Sequence, residues 1–93
     1  MKKAKIDVPV LLVFFVRPDT FKQVFDQVKI ARPSKLFLFQ DGARQGNKTD
    51  KENIQKCRTI LKEIDWDCEV HEFFPDFNYG VDSCVYAAMK WAF

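Results

Sequence analysis

Glycine, cysteine and histidine are all scarce in this 93-residue sequence, which has three glycines, three cysteines and one histidine. The cysteines Cys57, Cys68 and Cys84 form no CxxC pair, and one histidine cannot complete a zinc-binding set with them. An odd number of widely spaced cysteines argues against a disulfide-stapled secreted domain and favours a reducing compartment. The sequence therefore predicts a cytoplasmic protein without a structural zinc site.

Long apolar runs are also missing, since a membrane-spanning helix needs about 18–20 such residues. The run at 8–16 contains Pro9 and no small-residue cleavage site follows it, so it indicates a buried strand and not a signal peptide. The net charge of +2 is too small to favour nucleic acid or a membrane surface as a partner. We predict no nucleic-acid partner, and we expect peripheral membrane association only as a property of a longer parent protein.

What the sequence does have is an alternation of apolar runs and amphipathic stretches, with 47% hydrophobic residues. The runs at 8–16, 35–40 and 67–73 predict strands, and residues 1–7 are expected to be a tail. Capping-box patterns at 20–23 and 49–52 predict two helix starts, the first of them near residues 18–20, and a third apolar stripe follows Gly80.

This β-α-β-α-β-α alternation predicts an α/β fold with a parallel sheet between helical layers, three layers in all. Right-handed crossovers favour the strand order 3-2-1. The first two strands are apolar throughout, which is typical of strands buried on both faces. The third carries charged residues and is expected at an edge.

Polar residues follow each predicted strand, and the carboxyl ends of parallel strands converge at the edge where ligands bind. These residues are Arg17, Asp41, Gly42, Asn78 and Gly80. Asp41 could accept hydrogen bonds from a nucleobase imide or a ribose hydroxyl, or it could tighten the turn with Gly42. Arg17 could stack on a base, pair with phosphate or remain solvated.

Several known site motifs are absent or misplaced. RPDTF stands where a GxGxxG would follow the first strand, which disfavours a dinucleotide-binding Rossmann site, and no Walker A loop is present. The Asp65-Trp66-Asp67 triplet could hold a divalent cation. It precedes the third strand, however, and so belongs to the opposite edge of the sheet. We interpret it as a packed turn.

Three stretches taken in order resemble a known family: VPVLLVFFVRPDTFKQVFDQV, KLFLFQDGAR and NYGVDSCVYAAMKWAF. They are similar to nucleotide-sugar glycosyltransferases of the GT-A fold, and most of all to bacterial family-2-like and hemolytic-protein-like transferases. The likeness covers residues 8–93. It implies that these residues form the truncated nucleotide-binding half of a Rossmann-like domain whose parent moves a sugar from a UDP-type donor to an acceptor.

The resemblance also implies a role for each matching residue. Arg17 would line the nucleotide pocket, and Asp41, followed by Gly42, would bind the base, usually uracil, through its imide. Asn78 and Gly80 would shape the loop beneath the nucleotide. The family's acidic metal motif and catalytic base follow a fourth strand, so we expect Mg²⁺ or Mn²⁺ and the catalytic residues in the parent and none in this chain, which alone should transfer no sugar.

Two other classes stay open. One is a non-enzymatic α/β module that binds a partner or resembles a receiver domain, although Asp19 is the only acid near the end of the first strand. The other is a sugar nucleotidyltransferase, which usually opens with a Gly-rich phosphate loop.

The apolar first strand predicts an exposed sheet edge if no further strand pairs with it. The last helix also ends in apolar residues, Met89, Trp91 and Phe93. Exposed edges and apolar patches recruit other chains. We therefore expect self-association through the strand-one edge or the terminal helix.

Overall fold

A computed structural model describes residues 2–93, with the backbone alone at residue 81, and shows helices and strands in the predicted alternation. The elements in chain order are β1 (Ile6–Phe14), α1 (Pro18–Ala31), β2 (Pro33–Gln40), α2 (Lys48–Ile60), β3 (Glu69–Phe73) and α3 (Val81–Ala92). A short 3₁₀ turn, Leu61–Glu63, follows α2 directly. The prediction of an α/β chain is confirmed.

The three strands form one parallel sheet in the order β1-β2-β3. The central strand is the best buried, because both of its neighbours and both helical layers cover it. β1 was predicted to be buried on both faces, and this is wrong for its amino-terminal half. Ile6 is 40% exposed and Val8 is 55% exposed, since among residues 2–93 nothing pairs with the outer edge of β1.

Side chains of β2 alternate between the two faces of the sheet, and this alternation divides the core into two. Leu36 and Leu38 point to one face, where they belong to a large cluster built with α1 and α2. Phe39 points to the other face and packs with Cys84 and Ala88 of α3. The buried members of the large cluster are Leu12, Phe14, Phe21, Phe25, Leu36, Leu38, Cys57 and Trp66.

The distribution of the helices follows from the handedness of the crossovers. The chain runs from β1 to β2 to β3 in one direction across the sheet. Because both connections are right-handed, α1 and α2 lie on the same face of the sheet. After β3 the chain turns back, and α3 crosses to the other face, where its cluster includes Leu11 of β1. The fold therefore has three layers, with the sheet in the middle.

Helix α1 begins without the capping box predicted at 20–23. Its N-cap is Arg17, which makes no side-chain cap bond, and Pro18 occupies the first turn. Proline suits this position because its fixed φ is helical and the N–H it lacks would have no partner there. The helix ends at Arg32, whose N–H still bonds to the carbonyl of Val28 and whose left-handed backbone (φ 47°) then turns the chain out of the helix.

Helix α2 begins two residues earlier than the second predicted capping box. Asn47 is the N-cap, and its Oδ1 accepts a hydrogen bond of 2.9 Å from the backbone N–H of Asp50. The carboxylate of Asp50 turns away from the cap and binds Arg44. Asp50 is therefore a buried acid in the first turn of α2.

The amino edge of the sheet is fastened by Trp66, which is 1% exposed and donates from Nε1 to the carbonyl of Pro33 at 2.8 Å. Lys2 forms a parallel bridge with Trp66, and its side chain pairs with Asp65 at 3.0 Å, which lowers the pKa of Asp65. The Asp-Trp-Asp triplet is thus a packed turn, as interpreted from the sequence. Residue 1 of the predicted tail lies outside the described residues, and β1 already begins at Ile6.

Candidate functional site

A cleft of about 710 Å³ lies at the carboxyl end of β1, between α1 and the start of α3. Most of its wall is apolar, and it is large enough for a small organic ligand. The residues that line it include Arg17, Asp41, Arg44, Asn78 and Gly80. Four of the five residues singled out from the sequence therefore meet at one cleft, and the fifth, Gly42, adjoins it through its bonds to Asp41 and Asn78.

The carboxylate of Asp41 is 3% exposed and accepts four hydrogen bonds from its own chain. Oδ1 accepts from the backbone N–H of Gly42 at 2.9 Å and of Tyr79 at 2.8 Å. Oδ2 accepts from Nδ2 of Asn78 at 3.2 Å and from the N–H of Gly80 at 3.1 Å. A carboxylate offers about four lone-pair sites, so these donors fill them. Asp41 therefore fastens the end of β2 to the loop 74–80.

Gly42 brings the same two segments close together. Nδ2 of Asn78 also donates to the carbonyl of Gly42, at 2.8 Å. A Cβ at position 42 would lie 2.4 Å from the backbone oxygen of Phe77 and 2.8 Å from its nitrogen. Only glycine fits this contact unless the loop moves, so the close approach explains Gly42 without a ligand.

Gly80 has a different reason to be glycine. Its φ of 88° lies in the left-handed region, although a Cβ added there would meet no other atom within 4 Å. As N-cap of α3 it accepts the first helical hydrogen bond, from the N–H of Cys84 at 2.9 Å. The conformation turns the chain from the loop into the helix, so α3 begins at the wall of the cleft.

Arg44 lies in the polar loop between β2 and α2, and the structure holds it firmly. Its Nε and Nη2 donate to the two carboxylate oxygens of Asp50, each at 2.8 Å, and its backbone N–H donates to Oδ2 at 3.1 Å. The side-chain hydrogen bonds lower the pKa of Asp50 and raise the pKa of Arg44. The spacing Asn47-x-x-Asp50 is typical of a helix start and could have signalled an ordered acid here.

Arg17 lies at the opposite side of the cleft, at the end of β1 and the start of α1. It is exposed, and no carboxylate in the described part of the chain forms an ion pair with it. Two arginines line the cleft, Arg17 and Arg44, and Arg44 is paired with Asp50. The donors of the cleft therefore suit an anionic or carbonyl-rich ligand.

The aromatic residues in and beside the loop 74–80 do not form a stacking platform at the cleft. Phe73 stacks on Phe39 with ring centroids 5.2 Å apart, and Tyr79 packs against Phe39 at 5.9 Å, both in the α3 layer. Phe77 is 59% exposed and contacts Tyr79. The aromatic wall of the cleft comes instead from Phe14 and Phe15 at the end of β1 and from Phe21 of α1. Phe15 was not among the site residues predicted from the sequence.

Within residues 2–93, no three His, Cys, Asp or Glu side chains come together in a way that could hold a metal ion. No helix of the described chain has the length and apolar character needed to cross a membrane. Comparison with models of known protein families, with curated proteins and with solved structures gave no match.

Proposed function

We propose that the chain is the nucleotide-binding half of a GT-A-fold glycosyltransferase domain, and that its cleft binds the nucleotide part of a UDP-type sugar donor. The observation that supports this proposal is the meeting of Arg17, Asp41, Asn78 and Gly80 at one cleft beside the carboxyl ends of the strands. Ligands of open parallel sheets bind at such edges.

The roles proposed for these residues differ in one respect from those of the resemblance. The carboxylate of Asp41 accepts hydrogen bonds from Gly42 and from the loop 74–80 at all of its lone pairs. In this conformation Asp41 therefore shapes the pocket and is not available to accept a hydrogen bond from the base. Asn78 uses Nδ2 for Asp41 and Gly42. Its Oδ1 accepts no hydrogen bond within residues 2–93, and we assign to it the acceptor role toward the base imide.

The other walls of the cleft suit the remaining parts of a nucleotide. The apolar end of β1, with Phe15 and Val16, can cover the face of a base, and Arg17 can stack on it or reach a phosphate. The proposal assigns Mg²⁺ or Mn²⁺ to no residue described here, because Asp41 is saturated and Asp65 and Asp67 lie at the opposite edge. Metal and catalytic base belong, in this proposal, to the parent protein.

Titration of the ¹⁵N-labelled chain with UDP tests the proposal. We expect amide shifts concentrated at residues 16–18, 41–44 and 78–80, with a Kd of about 1 mM, which corresponds to roughly −4 kcal/mol. Arg17→Met should weaken binding, whereas Arg32→Met, which removes the same charge at the amino edge, should not. Shifts scattered over the surface, or none at saturating UDP, would contradict the proposal.

A further inference from the structure

Arg44 is the most rigidly held cation at the cleft. Its partner Asp50 is 2% exposed, whereas the Arg44 side chain itself is 60% exposed. A buried acid with three donors from one residue fixes both the backbone and the guanidinium of that residue. Asp50 in turn is fixed by its place in the first turn of α2, where Asn47 binds its backbone N–H.

The geometry leaves part of the guanidinium available. Arginine has five side-chain N–H donors, and Asp50 takes one from Nε and one from Nη2. The other three donate to no residue in the described part of the chain. Arg44 lines the cleft, and its Cζ lies 5.8 Å from the centroid of the Phe15 ring. Three donors in a fixed plane thus stand at the mouth of an apolar cleft.

We propose that Arg44, oriented by Asp50, binds the diphosphate of the ligand in the cleft. The planar fork of arginine matches phosphate oxygens, and bonds between two charged groups are among the strongest in proteins. Because Arg44 is already ordered, binding does not have to pay for its immobilisation. The inference rests on the proposed function, since the phosphates are those of the proposed nucleotide.

Arg44→Lys is the sharpest test variant, because it keeps the charge and the pairing with Asp50 but removes the fork. A lysine has a single nitrogen, which cannot serve the buried acid and an anion with the same geometry. Arg44→Met removes the charge but leaves Asp50 buried without its partner, so it costs stability as well. Arg32→Met is the control for net charge, since Arg32 precedes β2 at the amino edge.

The experiment measures the affinity of the wild type and these variants for uridine, UDP and inorganic pyrophosphate by NMR, with folding checked from the amide spectrum. We expect pyrophosphate to shift the Nε–Hε signal of Arg44. We expect Arg44→Lys to weaken pyrophosphate and UDP binding about tenfold, with uridine binding unchanged. Arg32→Met should bind all three as the wild type does.

The outcomes separate this inference from the proposed function. If the wild type binds pyrophosphate through Arg44 but does not bind uridine, the phosphate site stands and the nucleotide proposal fails. If uridine binds at the cleft while Arg44→Lys binds UDP and pyrophosphate as tightly as the wild type, the inference is overturned and the nucleotide proposal stands. Equal losses in Arg44→Lys and Arg32→Met would also overturn it.

Discussion

Replacing Asp41 by asparagine tests whether this carboxylate holds the loop 74–80 in place or is free to bind a nucleobase. Asparagine differs from aspartate by one NH₂ group in place of an oxygen. Each carboxylate oxygen of Asp41 faces two donors, Gly42 and Tyr79 at Oδ1, and Asn78 and Gly80 at Oδ2. Whichever way the amide turns, its NH₂ must therefore face two donors.

The expected loss in unfolding free energy follows from these hydrogen bonds. A hydrogen bond to a charged group contributes about 1.5–3 kcal/mol, so losing two costs about 3 kcal/mol at the low end. The loop is half-buried, and water can satisfy part of what is lost, which keeps the cost near that lower figure. A loss of about 3 kcal/mol is a large part of the 5–15 kcal/mol that stabilises a typical domain, on the order of a fifth or more.

Urea unfolding measures the free energy, and amide spectra of the ligand-free protein locate the change at Tyr79 and Gly80. The matched control is Asp76→Asn, which makes the same chemical change at an exposed position of the same loop. We expect Asp76→Asn to stay within about 0.5 kcal/mol of the wild type. If Asp41→Asn were equally stable and left the amides of residues 79 and 80 in place, the fastening role would be refuted.

Three further predictions concern packing, pH and association. Gly42→Ala should lower the unfolding free energy by about 2–3 kcal/mol because its Cβ would clash with the backbone of Phe77, and Gly80→Ala should cost about 1–3 kcal/mol because its backbone (φ 88°, ψ 162°) is one that only glycine adopts readily; a loss below about 0.5 kcal/mol for either variant in urea unfolding would contradict this. The arginine bonds lower the pKa of Asp50 from its ordinary value of 3.8, so its carboxylate stabilises the fold above that pH and this stabilisation is lost as the pH falls through the lower folded value. The stability gap between wild type and Asp50→Asn should therefore shrink in acid, and a gap independent of pH would count against the ion pair. Sedimentation at tens of micromolar should show a species heavier than the 11.0 kDa monomer, weakened by Val8→Lys at the β1 edge but not by Ile30→Lys on α1; a clean monomer would show that the edge does not recruit a second copy.

The order and type of the elements could be predicted because the apolar periods are clear, but their limits depend on tertiary contacts. The first apolar run continues to Val16, yet β1 ends at Phe14. The carbonyl of Phe15 accepts a hydrogen bond of 2.9 Å from Nε2 of Gln40 and so leaves the ladder between the strands. Likewise Pro18, and not a capping box, begins α1. The limits of a strand or helix thus depend in part on contacts with residues distant in sequence.

The location of the cleft could be predicted from topology alone, since parallel strands bring their carboxyl ends together. The hydrogen-bond partners of the polar residues at the cleft could not be predicted. Asp41 binds residues 37 to 39 positions further along the chain, and their approach depends on the glycine contact at position 42. The pair of Arg44 and Asp50 depends on the cap at Asn47, two residues before the start that the pattern suggested.

The unequal division of the core also sets the order in which the molecule can open. Helix α3 forms no strand pairing, and its buried contacts are concentrated on Phe39, Cys84 and Ala88. The other face holds the larger cluster and the turn of Trp66. Amide hydrogens of α3 can therefore exchange with solvent through a sub-global opening that leaves the sheet, α1 and α2 intact. Because Gly80 and Cys84 form part of the cleft wall, such an opening would also change the shape of the cleft.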